Sequence, residues 1–295
     1  MQILSTSLAT LQKNDIVKHA KWTYQKVRLA ILNRIGESSK SLQKDSGLYW
    51  NEGDKHGIDL KDYSHWQDNG PFKDGRWEAL GRLQYQMFEK LATFAAVERP
   101  IGSAIEWGCG GGMNAVHYVG EVNRFYGIDI SPANLEECDR QMRSRGFVGF
   151  RPILIESEKP EDALEKVKEK CRFFLCTFVY ECLPGVEYAN RVTKIAHDLL
   201  VPGGLAMIQI RYYNGLSQTR PKRANYFKNA TRFTSYPIDE FWILSERIGF
   251  EPLYVVLVPP PEHYPLTGDT YAYFFMRKPE GSRNAVPPIA ITRNP

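Results

Sequence analysis

The chain has few cysteines and no arrangement that would use them. Five occur in 295 residues, at 109, 138, 171, 176 and 182. The number is odd and no two stand as C-x-x-C, so neither a disulfide framework nor a zinc site is signalled. Long apolar runs are also lacking: none reaches the roughly 18–20 residues that a membrane-spanning helix needs. Met1-Gln2-Ile3-Leu4-Ser5 leads into polar sequence, which predicts no secretory signal. Together these lacks predict a reduced, cytoplasmic protein. Net charge is scarce outside one region. Residues 1–48 carry eight Lys/Arg against three acids, a net of +5, so the remaining 247 residues sum to −1. Basicity belongs to an N-terminal arm.

What is present is organised around Ala104-Ile105-Glu106-Trp107-Gly108-Cys109-Gly110-Gly111-Gly112-Met113-Asn114. A short apolar run ends on an acid, four glycines follow within five residues, and a helix-compatible segment begins. Glycines allow a turn that a Cβ would forbid and let a ligand approach the main chain. Phe125-Tyr126-Gly127-Ile128-Asp129-Ile130 is then a second apolar strand ending on an acid. A carboxylate there is placed to accept both hydroxyls of a ribose. A dinucleotide site spaces its glycines as G-x-G-x-x-G over a pyrophosphate. Here the order is Glu106-x-Gly108-x-Gly110-x-Gly112, with an acid before the first glycine. An acid suits a ligand bearing an ammonium and repels a diphosphate.

This pattern resembles motif I of the class I S-adenosylmethionine (SAM) dependent methyltransferases. The cofactor is accordingly read as SAM, with NAD second. The resemblance covers about 103–278 and implies a Rossmann-like, seven-stranded, mostly parallel sheet with an antiparallel last strand. By the same resemblance Glu106, Gly108 and Gly110 hold the methionine end, with Trp107, Cys109 and Asn114 around the loop. Asp129 takes the ribose, Ile130 flanks the adenine, and Glu156 or Ser157 meets its amino edge. Thr177 and Phe178 lie under the sulfonium, and Trp66 contributes from a lid.

Periodicity fills in the rest. Leu8 to Ile35 reads as amphipathic helix with interspersed lysines, suited to packing on the body or a second subunit, or to an anionic surface. Residues 36–48 read as a mobile linker. Leu48 to Trp77 holds three of the six tryptophans, with His56 and His65, and follows no period. By resemblance it is a lid over cofactor and substrate. A helix is expected over Glu78–Val97, then strands Ser103–Trp107, Phe125–Ile130, Phe150–Ile155, Phe173–Val179, Leu205–Arg211, Pro252–Val258 and Thr270–Arg277. Helices are expected at Ser131–Arg145, Pro160–Lys170, Gly185–Leu200 and Ile238–Ile248, with Val201-Pro202-Gly203-Gly204 as a turn. This divides the chain into an arm and linker (1–47), a lid and helix (48–100), a SAM-binding domain (101–278) and a floppy tail (279–295).

The segment Thr177-Phe178-Val179-Tyr180-Glu181-Cys182 excludes several chemistries. It lacks the acid or asparagine followed by Pro-Pro-aromatic of amino-directed DNA methyltransferases. The Pro-Cys nucleophile of cytosine-C5 enzymes is missing too. It also lacks the strand-end acid of magnesium-dependent catechol-type enzymes, so no metal is expected. Many small-molecule methyltransferases have Glu-His where Glu181-Cys182 stands. The remaining candidate bases are His65, His263, Glu181 and Tyr180, while His117 reads as structural. Tyr212–Arg232 carries five Lys/Arg, no acids and four aromatics, and is expected to cap the substrate site (212–236 in all). Such a surface fits an anionic substrate or single-stranded nucleic acid. Against nucleic acid, the body is neutral and no RNA-binding appendage is recognisable.

The leading expectation is a methyltransferase acting on a small-molecule or glycan-type acceptor at oxygen. A second is an RNA or protein methyltransferase docking through the basic arm and insertion. A third is a SAM-binding module without catalysis. Homo-oligomerisation through the N-terminal helices is compatible with each.

Overall fold

The structure, a computed structural model, describes residues 22–24, 27, 35–52, 76–258 and 271–281. Its seven strands are β1 (Gly102–Trp107), β2 (Val122–Asp129), β3 (Phe150–Leu154), β4 (Cys171–Cys176), β5 (Leu200–Arg211), β6 (Glu251–Val258) and β7 (Tyr271–Arg277). They form one sheet in the order β3-β2-β1-β4-β5-β7-β6. The first five are parallel, and β7 runs antiparallel between β5 and β6. β1 lies between β2 and β4, with Ile105 opposite Tyr126 on one side and Phe174 on the other. From it the chain winds outward in both directions. That reversal leaves a crevice beyond the carboxyl ends of β1 and β4, where open α/β sheets bind ligands.

Strands buried on both faces explain why β1, β4 and β5 read as continuous apolar runs. Ile105, Ile128, Phe174, Ile208 and Phe274 pack on one face against α5 (Val186–Leu199) and α7 (Ile238–Ile248), with the short α4 (Asp162–Lys166) beside them. Ala104, Phe125, Phe173, Leu175 and Met207 pack on the other face against α2 (Arg76–Phe94) and α3 (Pro132–Ser144). Phe88 of α2 has no exposed surface, and its ring packs tilted against Phe173 with centroids 4.6 Å apart. Burial of one such ring stabilises the fold by about 1.5–3 kcal/mol. A third, smaller cluster joins α1 (Ser39–Glu52) to α6 (Tyr226–Asn229) through Leu42, Tyr49, Tyr226, Ala230 and Phe233. Among the described residues no helix is long and apolar enough to cross a membrane.

Four local expectations are corrected. The glycine loop is followed by a single 3-10 turn, Ala115–Tyr118, and not by an α-helix. Here α2 approaches so closely that a Cβ on Gly81 would lie 2.6 Å from the Met113 carbonyl oxygen. Residues 39–52, expected to be mostly linker, form α1. That helix buries Leu42, Ser46 and Tyr49 against a segment distant in sequence. The Val201–Gly204 turn is instead the start of β5, because Gly203 N–H donates to Lys278 O (2.7 Å) and Lys278 N–H to Gly204 O (2.8 Å). The Pro160–Lys170 helix shrinks to Asp162–Lys166. Most of the expected amphipathic arm, Leu8–Ile35, and most of the aromatic lid lie outside the described residues.

Candidate active site

A cavity of about 460 Å³ opens at the carboxyl ends of β1, β2 and β4. Its floor is the glycine loop. Gly108 and Cys109 N–H groups both donate to Ile128 O, at 2.7 and 3.1 Å, and so turn the chain back over β2. Gly108 has φ +70°, and a Cβ there would lie 2.4 Å from Cγ2 of Val179. Only glycine fits that position.

Two buried carboxylates bracket the loop. Asp129 Oδ2 accepts from Gly110 N–H (2.9 Å), and Oδ1 accepts from Ser131 N–H (2.9 Å) and Asn134 Nδ2 (3.3 Å). Burial pushes its pKa above the ordinary value, opposed by these donors. Ser131 caps α3 and Pro132 begins it, so the helix start fixes the direction of the acid. Glu106 Oε1 accepts from Asn114 Nδ2 at 2.7 Å. Its Oε2, like Asn114 Oδ1, is buried with no hydrogen-bond partner among the described residues. Burial raises the Glu106 pKa to about 8, against the Asn114 hydrogen bond and with help from the nearby charge of Asp129. Unpaired buried acceptors are costly unless a ligand donor reaches them. A cavity with two such oxygens beside a ribose-type carboxylate fits an adenosyl ligand carrying an α-ammonium.

The wall after β4 stores strain. Phe178 adopts φ +56°, rare for an aromatic residue and costing on the order of 1–3 kcal/mol. Its N–H donates to Gln209 Oε1 (2.7 Å), and its ring lies edge-on between Trp77 and Tyr271. Opposite, α1 covers the cavity with Ser46, Tyr49 and Trp50. The Tyr226 hydroxyl accepts from Ser46 Oγ (3.1 Å) and Trp50 Nε1 (3.0 Å) and donates to Cys182 O. Asn51 Nδ2 donates to Ile130 O (3.2 Å) and Ser157 Oγ to Gln43 O (2.7 Å), pinning α1 over the ends of β2 and β3.

Of the sequence candidates, Glu106, Trp107, Gly108, Cys109, Gly110, Asn114, Asp129, Ile130, Ser157, Thr177, Phe178 and Glu181 line this one cavity. Glu156 does not; it faces solvent and pairs with Lys159 at 2.9 Å. Tyr180 does not either. Its hydroxyl bonds Thr193 Oγ1 (2.8 Å) and its buried ring meets Phe241 edge-on, so it belongs to the core. His65, Trp66 and His263 lie outside the described residues. From the expected cap, Phe227, Lys228, Ala230 and Thr231 reach the cavity wall. Sequence reading missed Ser46, Asn134 and Tyr188 as lining residues. Asn134, two residues after a Ser-Pro helix start, was accessible to that reading; Ser46, in a segment read as linker, carried no signal.

A search among curated proteins found no match. Solved structures with the same fold include magnesium protoporphyrin IX methyltransferase from Synechocystis PCC 6803 with bound SAH. It is 14% identical, with a TM-score of 0.54 over 82% of this chain and 100% of that one. A SAM-dependent methyltransferase from Clostridium acetobutylicum ATCC 824 is 13% identical, with a TM-score of 0.52 over 74% and 98%. N-methyltransferase NodS from Bradyrhizobium japonicum WM9 is 11% identical, with a TM-score of 0.50 over 71% and 100%. At these identities the likeness is one of fold. The family model of the methyltransferase domain matches residues 79–255, more than half of the chain. With the glycine loop, its two carboxylates and the strand order above, the chain belongs to the class I S-adenosylmethionine-dependent methyltransferases.

Proposed function

We propose that this protein methylates a hydroxyl of a small-molecule or glycan-type acceptor, without a metal, using Glu181 as the proton acceptor. SAM supplies a methyl group activated by its sulfonium. Asp129 would hold the ribose, and Glu106 with Asn114 the α-ammonium. Ile130 and Ile155 would face the adenine. The acceptor then enters between Glu181 and the aromatic wall of Tyr49, Trp50 and Phe227. Its O–H proton passes to Glu181 as the oxygen takes the methyl group. Holding the reacting atoms in line supplies ~7–11 kcal/mol of the barrier reduction, and proton removal about 10²–10⁴-fold in rate.

The observation that carries this reading is the position of Glu181. Glu181 lines the cavity on the 3-10 turn Tyr180–Cys182 that follows β4, and its backbone oxygen accepts from Phe233 N–H (3.0 Å) and Thr234 N–H (3.3 Å). Lys228 in the outer wall supports an acceptor with an anionic group.

Turnover of SAM to S-adenosylhomocysteine, measured against a panel of phenols, sugars, amines and oligonucleotides, tests the proposal. Hydroxyl acceptors are expected to turn over, and Glu181→Gln to lower kcat by about 10²-fold or more with little change in cofactor affinity. Methylation of amines or oligonucleotides alone, or full activity in E181Q, would overturn it.

A further inference from the structure

One chain of buried polar groups beneath the cavity starts on α2, outside the glycine loop and both strands that carry the acids. Gln84 of α2 has no exposed surface. Its Nε2 donates to the Tyr273 hydroxyl on β7 at 2.9 Å. Its Oε1 accepts from the Thr177 hydroxyl at 3.1 Å. Thr177 Oγ1 in turn accepts from Asn114 Nδ2 at 3.0 Å, and that same nitrogen donates to Glu106 Oε1 at 2.7 Å.

The directions of these bonds are linked. A threonine hydroxyl has one proton, so once it is spent on Gln84 the oxygen can only accept from its other neighbour. Asn114 must therefore turn its nitrogen toward Thr177. The second hydrogen on that nitrogen serves Glu106, the arrangement an ionised Glu106 requires. The amide oxygen of Asn114 is left over. It is buried, it has no partner among the described residues, and Asn114 lines the cavity beside Glu106. Without a carbonyl at position 84, the threonine proton could turn to Asn114 instead. The Asn114 amide would then flip, setting its oxygen against the Glu106 carboxylate and its nitrogen toward the cavity.

We propose that Gln84 is a positioning residue for the amino-acid end of the cofactor. Acting through Thr177, it holds Asn114 so that the cavity offers an α-ammonium two acceptors, Glu106 Oε2 and Asn114 Oδ1. Tyr273 accepts from the Gln84 amide nitrogen, which leaves the Gln84 carbonyl facing Thr177. The inference rests on the SAM reading of the site and assigns a selective role to a helix that precedes the glycine motif.

Calorimetric titration of the full chain with two ligands tests it. S-adenosylhomocysteine carries the α-ammonium, whereas 5′-methylthioadenosine keeps the adenosyl thioether and lacks the amino-acid end. Gln84→Leu is expected to weaken S-adenosylhomocysteine about tenfold or more, the cost of misdirecting a buried acceptor. Methylthioadenosine should stay within about twofold, since it makes no use of that acceptor. Thr177→Val, nearly equal in size, should show the same ligand-selective loss and serves if Gln84→Leu fails to fold. An equal loss for both ligands, as loosened packing would give, or no loss for S-adenosylhomocysteine, would overturn the role of Gln84. Failure of the unaltered chain to bind either ligand would instead remove the cofactor reading on which the proposal stands.

Discussion

Gly108 and Val179 meet with no room for a methyl group between them: a Cβ on the glycine would stand 2.4 Å from the valine Cγ2. The loop after β1 and the segment after β4 are thus locked together across the mouth of the sheet. Gly108→Ala would need φ +70° in a residue with a side chain and would push Val179 into the cavity. We expect a loss of about 1–3 kcal/mol of stability and S-adenosylhomocysteine binding weakened beyond detection, read by thermal melting and calorimetry. Adding Val179→Ala should restore part of the stability by relieving the contact. An alanine at 108 that binds normally would contradict this packing.

Glu106 carries a stability cost. Its folded pKa of about 8 lies above its ordinary value, so the folded chain binds a proton that the unfolded chain has already lost between about pH 4.5 and 8. Its contribution therefore declines as pH rises through that window. Glu106→Gln removes the titration and should stabilise the ligand-free protein at pH 7.5 by about 1–3 kcal/mol while abolishing cofactor binding. Denaturant unfolding at pH 5 and pH 7.5 checks this: the difference between variant and parent should grow with pH.

The same carboxyl makes cofactor binding pH-dependent. At pH 6 Glu106 is protonated in the free protein, and an ammonium ligand favours the ionised form, so binding releases a proton. Affinity for S-adenosylhomocysteine should rise from pH 6 to about 7.5, and the apparent binding enthalpy should vary with the ionisation enthalpy of the buffer. Methylthioadenosine, which lacks the ammonium, should show neither effect. A flat profile for both ligands would mean that Glu106 does not meet the amino group.

Tyr226 ties three segments through one hydroxyl, which Ser46, Trp50 and the Cys182 carbonyl share. Tyr226→Phe leaves those buried partners unsatisfied and should cost about 1–3 kcal/mol. The loss should fall on the cover: cleavage of α1 by a protease should accelerate, and the acceptor KM should rise more than the affinity for S-adenosylhomocysteine falls. Unchanged proteolysis would show that the ring packing against Phe233 and Tyr49 suffices.

The readable parts of the molecule were those whose signal is short in range. Ser131-Pro132 announced the start of α3 because a cap and a first-turn proline act on the backbone within three residues. The helix from Ile238 stops at Ile248, as its pattern predicts, because Gly249, at φ +114°, closes it. Tyr180 lies in the core although its neighbour Glu181 lines the cavity. On a 3-10 turn adjacent side chains leave in different directions, and the phenol goes to Thr193. Of the pair Glu156 and Ser157 just past β3, it is Ser157 that lines the cavity, while Glu156 faces solvent and pairs with Lys159.

By itself the sequence determined the sheet, the glycine turn and the two acids that bracket it, since each is written in residues a few positions apart. Tertiary structure alone decided what covers and wires the cavity. Ser46 reaches Tyr226 across 180 positions, and Gln84 reaches Tyr273 across 189. Such pairings follow from where the packed elements come to rest, and no period or motif along the chain encodes them.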